Sequence, residues 1–263
     1  MLEAKQLGYT VAGATLVREV SLTLQAGDTL GLIGPNGAGK TSLLRLLAGL
    51  RRPSHGEVYL SADGGWQDLQ RLPARRRARL LGYLGQQETP AWPLSVESLV
   101  GLGRAPWRGP GAHTQEDLTA IDWALTQTDL LELRQRPVSQ LSGGELQRAL
   151  LGRVLAARTP IILADEPTAS LDPYHQLHIM EVLSAQARAG GGVLLALHDL
   201  SLAARFCNRL VLLDQGRVSA TGTPAQVLTP EKLREVYRIE ASVECYAEGV
   251  VILPQRRYGS SSE

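Results

Sequence analysis

The sequence is short of several things, and each shortage excludes a class of protein. No run of about 18 apolar residues occurs anywhere in the 263, so nothing in it is expected to span a membrane as a helix. Cysteine is scarce. The two present, Cys207 and Cys245, form no C-x-x-C pair, which argues against a disulfide framework and for idle thiols in a reducing compartment. No charge sign dominates: 27 Lys and Arg against 26 Asp and Glu leave a net charge of +1, so no general affinity for nucleic acid follows. The start, Met1-Leu2-Glu3-Ala4-Lys5, lacks a secretory pattern. Sustained heptads are missing as well.

What the sequence does contain is organised around Gly34-Pro35-Asn36-Gly37-Ala38-Gly39-Lys40-Thr41, which fits G-x-x-x-x-G-K-[ST], the phosphate-binding loop. Glycines let the backbone curl until successive N–H groups point at phosphate oxygens. The following helix, read over Ser42 to Ala48 and ending at Gly49, offers its N-terminus to the same anion. Lys40 supplies a mobile positive charge, and Thr41 a hydroxyl for a magnesium ion. Before the loop, Thr29-Leu30-Gly31-Leu32-Ile33 reads as a short buried strand.

The length suits one α/β unit with an inserted or appended subdomain. Residues 1–30 read as β-rich edge structure. Tyr9 lies in this stretch, where an aromatic face could stack on a base or sit half-buried in a strand. A turn over Arg51–Glu57 leads to a strand at Val58–Leu60. Five arginines crowd Arg71–Arg79, read as a solvated helix or turn face because the whole chain is near neutral. Leu80–Gln86 reads as a strand ending in glutamine. Residues 87–140 change character: Pro90, Pro93, Pro106 and Pro110 punctuate them, and helical patterns follow at Val96–Leu102 and Asp117–Leu133. Beyond the core, Arg209–Val218 reads as a hairpin. Short helices are expected at Pro224–Leu228 and Pro230–Tyr237, a last strand at Val250–Leu253, and a frayed tail from Arg256 to Glu263.

Three further strings carry chemistry. Leu141-Ser142-Gly143-Gly144-Glu145 opens a helix read over Glu145–Arg158. Ser142 is its N-cap and Glu145 completes a capping box, while the glycines leave N–H groups unobstructed for a second anion site. Ile161-Ile162-Leu163-Ala164 ends in Asp165-Glu166, acids at the carboxyl end of a buried strand, where α/β sheets place ligands. Asp165 can hold magnesium, and Glu166 can polarise a water. A third buried strand, Val193–Leu197, ends at His198. Ser170-Leu171-Asp172-Pro173 caps a helix carrying His175 and His178. Those two histidines lack a third metal ligand and read as a surface face.

In their order, the phosphate loop with Ser42, Gln86, the Leu141–Glu145 string, Asp165-Glu166 and His198 resemble the ATP-binding cassette (ABC) family over nearly the whole chain. The resemblance implies a phosphate-loop NTPase core with a mostly parallel sheet, an N-terminal antiparallel β subdomain and an inserted helical subdomain. The implied division is a core from 1–86 and 141–240, an insert at 87–140 and an extension at 241–263. ATP and Mg2+ are the implied cofactors. Tyr9 would stack on adenine. Gln86 would contact magnesium and the attacking water. Asp165 would be the magnesium-side acid, Glu166 the general base, and His198 a γ-phosphate contact. Asp172 would lie at a dimer seam, and Ser142, Gly143, Gly144 and Glu145 would complete the other subunit's site. A finer resemblance, to ATPases that energise import of iron–siderophores, haem and vitamin B12, rests on Val96–Trp107, Leu197–Arg205 and Gly222–Pro230. Gly85 and Ala164 depart mildly from the usual pattern. The implied partners are a second copy, an integral membrane permease and, indirectly, a substrate-binding protein, with the chain on the cytoplasmic face of the membrane. Competing classes fare worse. A nucleic-acid-acting cassette ATPase usually carries two cassettes or long coiled coils, and a GTPase needs an Asn-Lys-x-Asp guanine reader that is missing.

Overall fold

A computed structural model describes residues 1–62, 64–86, 93–108, 113–246 and 249–258. Pro90, Pro110, the side chain of Cys245 and the tail beyond 258 lie outside the described residues. The first two strands, β1 (Leu2–Val11) and β2 (Ala14–Leu24), pair antiparallel, and with β4 (His55–Ala62) and β5 (Gly65–Asp68) they form a four-stranded antiparallel sheet in the order β2-β1-β4-β5. The second sheet has the order β10-β9-β3-β8-β7-β6. It is built from β3 (Thr29–Ile33), β6 (Leu81–Leu84), β7 (Ile161–Asp165), β8 (Gly192–Ala196), β9 (Arg209–Asp214) and β10 (Arg217–Gly222). All its neighbours run parallel except β9 and β10.

Strands β3, β7 and β8 are buried at every residue, as expected of parallel strands covered on both faces. Their side chains alternate between two cores. Leu30, Leu32, Ile161, Leu163, Leu194 and Ala196 join the cluster under the N-terminal sheet and α1 (Lys40–Leu47). Ile33, Ile162, Ala164, Val193 and Leu195 join the cluster beneath α5 (Gly143–Ala156) and α6 (Pro173–Arg188). The chain is therefore an α/β sandwich whose central sheet is shared by two hydrophobic layers.

Between β6 and α5 stand α3 (Val96–Gly101) and α4 (Gln115–Gln127), preceded in the chain by α2 (Ala74–Leu80). Helix α4 stops well before Leu133: Thr128 caps it, Asp129 turns left-handed at φ +55°, and a single tight turn covers Leu131–Leu133. Helix α5 runs from Gly143 rather than Glu145 and ends before Arg158, which is itself left-handed at φ +52°. The arginine run is not simply solvated. Arg75 and Arg79 donate to the Pro106 carbonyl at 2.8 and 2.9 Å, and Arg79 lies over the Trp107 ring. Main-chain carbonyls accept the charge, so α2 grips the following helical segment.

That segment is held from inside as well. Arg104 donates to Asp117 at 2.8 Å, with each side chain 3% exposed. Burial alone would raise the Asp117 pKa, but hydrogen bonds from Arg104 and Thr114 outweigh it and hold the pKa at about 2. A depressed carboxyl pKa stabilises the fold above the ordinary value of 3.8, and that contribution fades as pH falls from there toward 2. Without Asp117 the buried guanidinium keeps only the exposed Glu116 at 3.3 Å and the Ala156 carbonyl at 3.2 Å, so Asp117→Ala is expected to cost about 3 kcal/mol. Denaturant midpoints at pH 7 measure the loss. A midpoint equal to that of the parent would show the pair to be idle.

After β8 come α7 (Leu200–Phe206), α8 (Pro224–Val227) and α9 (Pro230–Lys232). The short helix expected over Pro230–Tyr237 is present, its last part, Leu233–Tyr237, wound more widely as a π-helix. The last strand is longer than its apolar core suggests. β11 (Ile239–Tyr246) and β12 (Gly249–Arg257) form a hairpin with Ile252 buried in the main core. Arg256, expected to be frayed, pairs with Glu240 at 2.7 Å.

Candidate active site

Parallel strands deliver their carboxyl ends to one edge of the sheet, so the segments leaving β3, β8, β7 and β6 lie side by side there. Those segments carry the phosphate loop, His198, Asp165-Glu166 and Gln86. Most of the loop residues, with Gln86, Glu166 and His198, thus meet in one cleft of about 750 Å³. Asn36, Gly37, Ala38, Gly39, Lys40, Thr41 and Ser42 line it from the loop and the start of α1, and Gln86, Glu166 and His198 line it from the segments leaving β6, β7 and β8.

The loop conformation depends on two glycines. Gly34 (φ +147°) would place a Cβ 2.3 Å from the Leu213 carbonyl oxygen, and Gly39 (φ +101°) would place one 2.5 Å from that of Leu16. Any side chain would break the turn, whatever its polarity. Helix α1 starts directly from Gly39 with no side-chain cap, whereas α4, α5 and α6 are capped by Thr114, Ser142 and Asp172. Its first N–H groups are left for an anion. Lys40, 6% exposed, donates from Nζ to the carbonyls of Gly34 at 2.6 Å and Pro35 at 3.1 Å. Burial lowers its pKa, and the charges of Glu166 and Asp165 counter that shift. Gly34 and Pro35 therefore act from beneath the loop and do not line the cleft.

Asp165 sits below the floor, 1% exposed, with neither carboxylate oxygen in a hydrogen bond of good geometry. Burial pushes its pKa up, and the Glu166 charge adds to this. The Thr41 hydroxyl and the charges of Arg45 and Lys40 pull the other way. A buried carboxylate with spare oxygens beside a hydroxyl suits a hard divalent cation that also takes phosphate oxygens. Among the described residues no set of three or more His, Cys, Asp or Glu side chains could hold a metal alone.

Glu166 is left-handed at φ +54°. Its amide donates to the Ala196 carbonyl at 3.1 Å, and its Oε1 is 2.5 Å from His198 Nε2. An acid and an imidazole in contact, beside a phosphate cradle, can hold and polarise a water.

Other expected residues lie elsewhere. Ser142 caps α5: its Oγ accepts from Glu145 N at 3.2 Å, and Glu145 Oε2 accepts from Ser142 N at 2.7 Å. Hydrogen bonds from Ser142 hold the Glu145 pKa below its usual value. Asp172 caps α6, accepting from His175 N at 2.9 Å and contacting His175 Nδ1 at 2.9 Å. Ser142, Gly143, Gly144, Glu145 and Asp172 are absent from the cleft lining of their own chain. Tyr9 is half-buried on β1, opposite Val17, and packs on the core. The side chain from that sheet that reaches the cleft is Leu16, which sequence reasoning missed. His175 and His178 are tied down too, His178 through the Gln127 carbonyl at 3.0 Å.

A phosphate loop, an acid pair at a strand end two strands away and a serine-glycine helix start, arranged on this α/β core, define an ATP-binding cassette. The chain belongs to the ABC transporter family, as its ATP-hydrolysing component; the family's sequence model matches residues 17–169. It is 43% identical over 253 residues to the hemin import ATP-binding protein HmuV of Bordetella parapertussis, covering 92% of this chain and 94% of that one. The HmuV of Pseudomonas aeruginosa is 40% identical, with 94% and 96% covered. Among solved structures, a metal-chelate type ABC transporter in an inward-facing conformation matches with TM-score 0.81 at 25% identity over 98% of both chains. A cassette solved as a dimer in a post-hydrolysis state with ADP and Pi matches with TM-score 0.73 at 28% identity, over 85% of this chain and 99% of that one. Among the described residues no helix is long and apolar enough to cross a membrane.

Proposed function

We propose that this chain is the motor of an importer for hemin or a closely related metal chelate, working as a head-to-tail pair on the cytoplasmic face of a separate membrane permease. The observation that carries the cargo is the match, at 40–43% identity along more than nine-tenths of each chain, to relatives named as hemin import proteins. The phosphate loop binds the triphosphate through α1 and Lys40. Glu166 accepts a proton from the attacking water as its oxygen bonds to the γ-phosphorus and the bond to the β–γ bridging oxygen breaks, leaving ADP and phosphate. His198 orients that carboxylate and faces the γ-phosphate. Thr41, Asp165 and Gln86 would hold Mg2+, which neutralises charge on the phosphate oxygens when bound. Ser142, Gly143 and Gly144 of a second copy close the open side of the cleft, and Asp172 lies at the seam. The core at 1–86 and 141–240 carries the nucleotide, and the insert at 87–140 meets the permease.

The test is reconstitution with the cognate permease in proteoliposomes. Turnover is expected to rise when a hemin-loaded binding protein is supplied, and to stay basal with the same assay's cobalamin- or siderophore-loaded equivalents. Stimulation by either of those instead, or by nucleic acid, would reassign the cargo or the class.

A further inference from the structure

Glu166 has a backbone that a non-glycine residue adopts reluctantly, so something must hold it. On one side its amide is fixed by Ala196 in the sheet. On the other its carbonyl accepts from the Ala169 amide at 3.1 Å within the same turn, and the tie to another element comes from Gln147, 9% exposed on α5, whose Nε2 donates to the carbonyls of Glu166 at 3.3 Å and Pro167 at 3.5 Å. Gln147 stands three and four residues after Gly144 and Gly143, on the same face of the helix they open.

We propose that Gln147 is a positioning residue for hydrolysis: it holds the Glu166–Pro167 peptides so that the Glu166 carboxylate meets His198, and it couples that aim to the seating of the Ser142–Gly144 helix start. This rests on the reading of Glu166 as the base. The coupling has a physical route. A rigid helix carries any shift of its first turn to Gln147, and Gln147 has two carbonyls to release or hold. When a partner's nucleotide draws Gly143 and Gly144 into place, the same helix sets the geometry of this chain's own acid. A site whose acid is misplaced by an ångström loses rate and not affinity.

The experiment is steady-state ATP hydrolysis by the full chain carrying Gln147→Met, which keeps length and loses the donor. The expected result is a kcat lowered about 10–100-fold with KM for ATP within about twofold of the parent. Added to Glu166→Gln, the same change should lower the residual turnover no further, because a positioning residue has nothing left to position. Parental kcat in Gln147→Met, a change in KM alone, or additive losses in the double variant would each overturn the proposal. Should Gln147→Met melt at a lower temperature, Gln147→Glu, of the same shape but with no N–H donor, must show the same split between kcat and KM. Full loss in Glu166→Gln beside normal rates in Gln147→Met defeats this proposal alone. Normal rates in Glu166→Gln defeat the base reading and this proposal with it.

Discussion

Glu166→Gln is expected to bind ATP as the parent does and to hydrolyse it about 10²–10⁴-fold more slowly. The substitution keeps the side chain's size and its reach toward His198 Nε2, now 2.5 Å from Oε1, but the amide cannot accept the water's proton. The binding groups are separate from it. Lys40, the uncapped start of α1 and the loop amides come from a different segment of the cleft lining, so affinity should change little. If the γ-phosphate bridges two copies, a variant that cannot cleave it should accumulate as an ATP-dependent dimer. Light scattering of the purified chain with and without Mg-ATP reads this directly. Unchanged turnover would remove Glu166 from its role.

Much of this arrangement could be read in advance because it is written in backbone requirements. A loop that must curl around phosphate needs glycine where a Cβ would strike Leu213 or Leu16, so its spacing survives as a string. Strands buried on both faces are continuous apolar runs, and an acid at the end of such a run stands out. The failures have equally physical origins. β1 shifts register on both sides of Tyr9, between Leu7 and Tyr9 and again between Tyr9 and Thr10. A one-residue shift exchanges the two faces of a strand, so no alternation rule could tell that Leu16 would reach the cleft. The grip of Arg75 and Arg79 on the Pro106 carbonyl spans 31 and 27 residues and involves a main-chain acceptor that no side-chain pattern reveals. The early end of α4 depends on Asp129 taking a left-handed turn, which the short polar side chain of aspartate tolerates better than most but does not advertise. Gln147 was silent for a similar reason: its partners are carbonyls on another strand's exit.

The residues that line the cleft and those that do not can be separated by mixing two inactive variants. Lys40→Ala removes the charge buried in the loop, and Ser142→Arg obstructs the helix start that follows Leu141. Each alone is expected to lower turnover by at least about 10²-fold, since Lys40→Ala deletes, and Ser142→Arg blocks, donors aimed at developing phosphate charge. They differ in which half of a composite site they damage. Ser142 caps α5 outside the cleft of its own chain, so on the proposed head-to-tail pairing this helix start would serve the site of the other copy. In a two-fold head-to-tail pair, a mixed dimer has one site with both defects and one with neither. Equal mixing and random exchange make half the dimers mixed, so turnover should return to about a quarter of the parental value. A mixture no more active than its components would mean that each chain completes its own site, and the cleft would then need closing by a movement within the chain. Recovery requires that the phosphate loop of one copy and the serine-glycine helix start of its neighbour act on the same nucleotide.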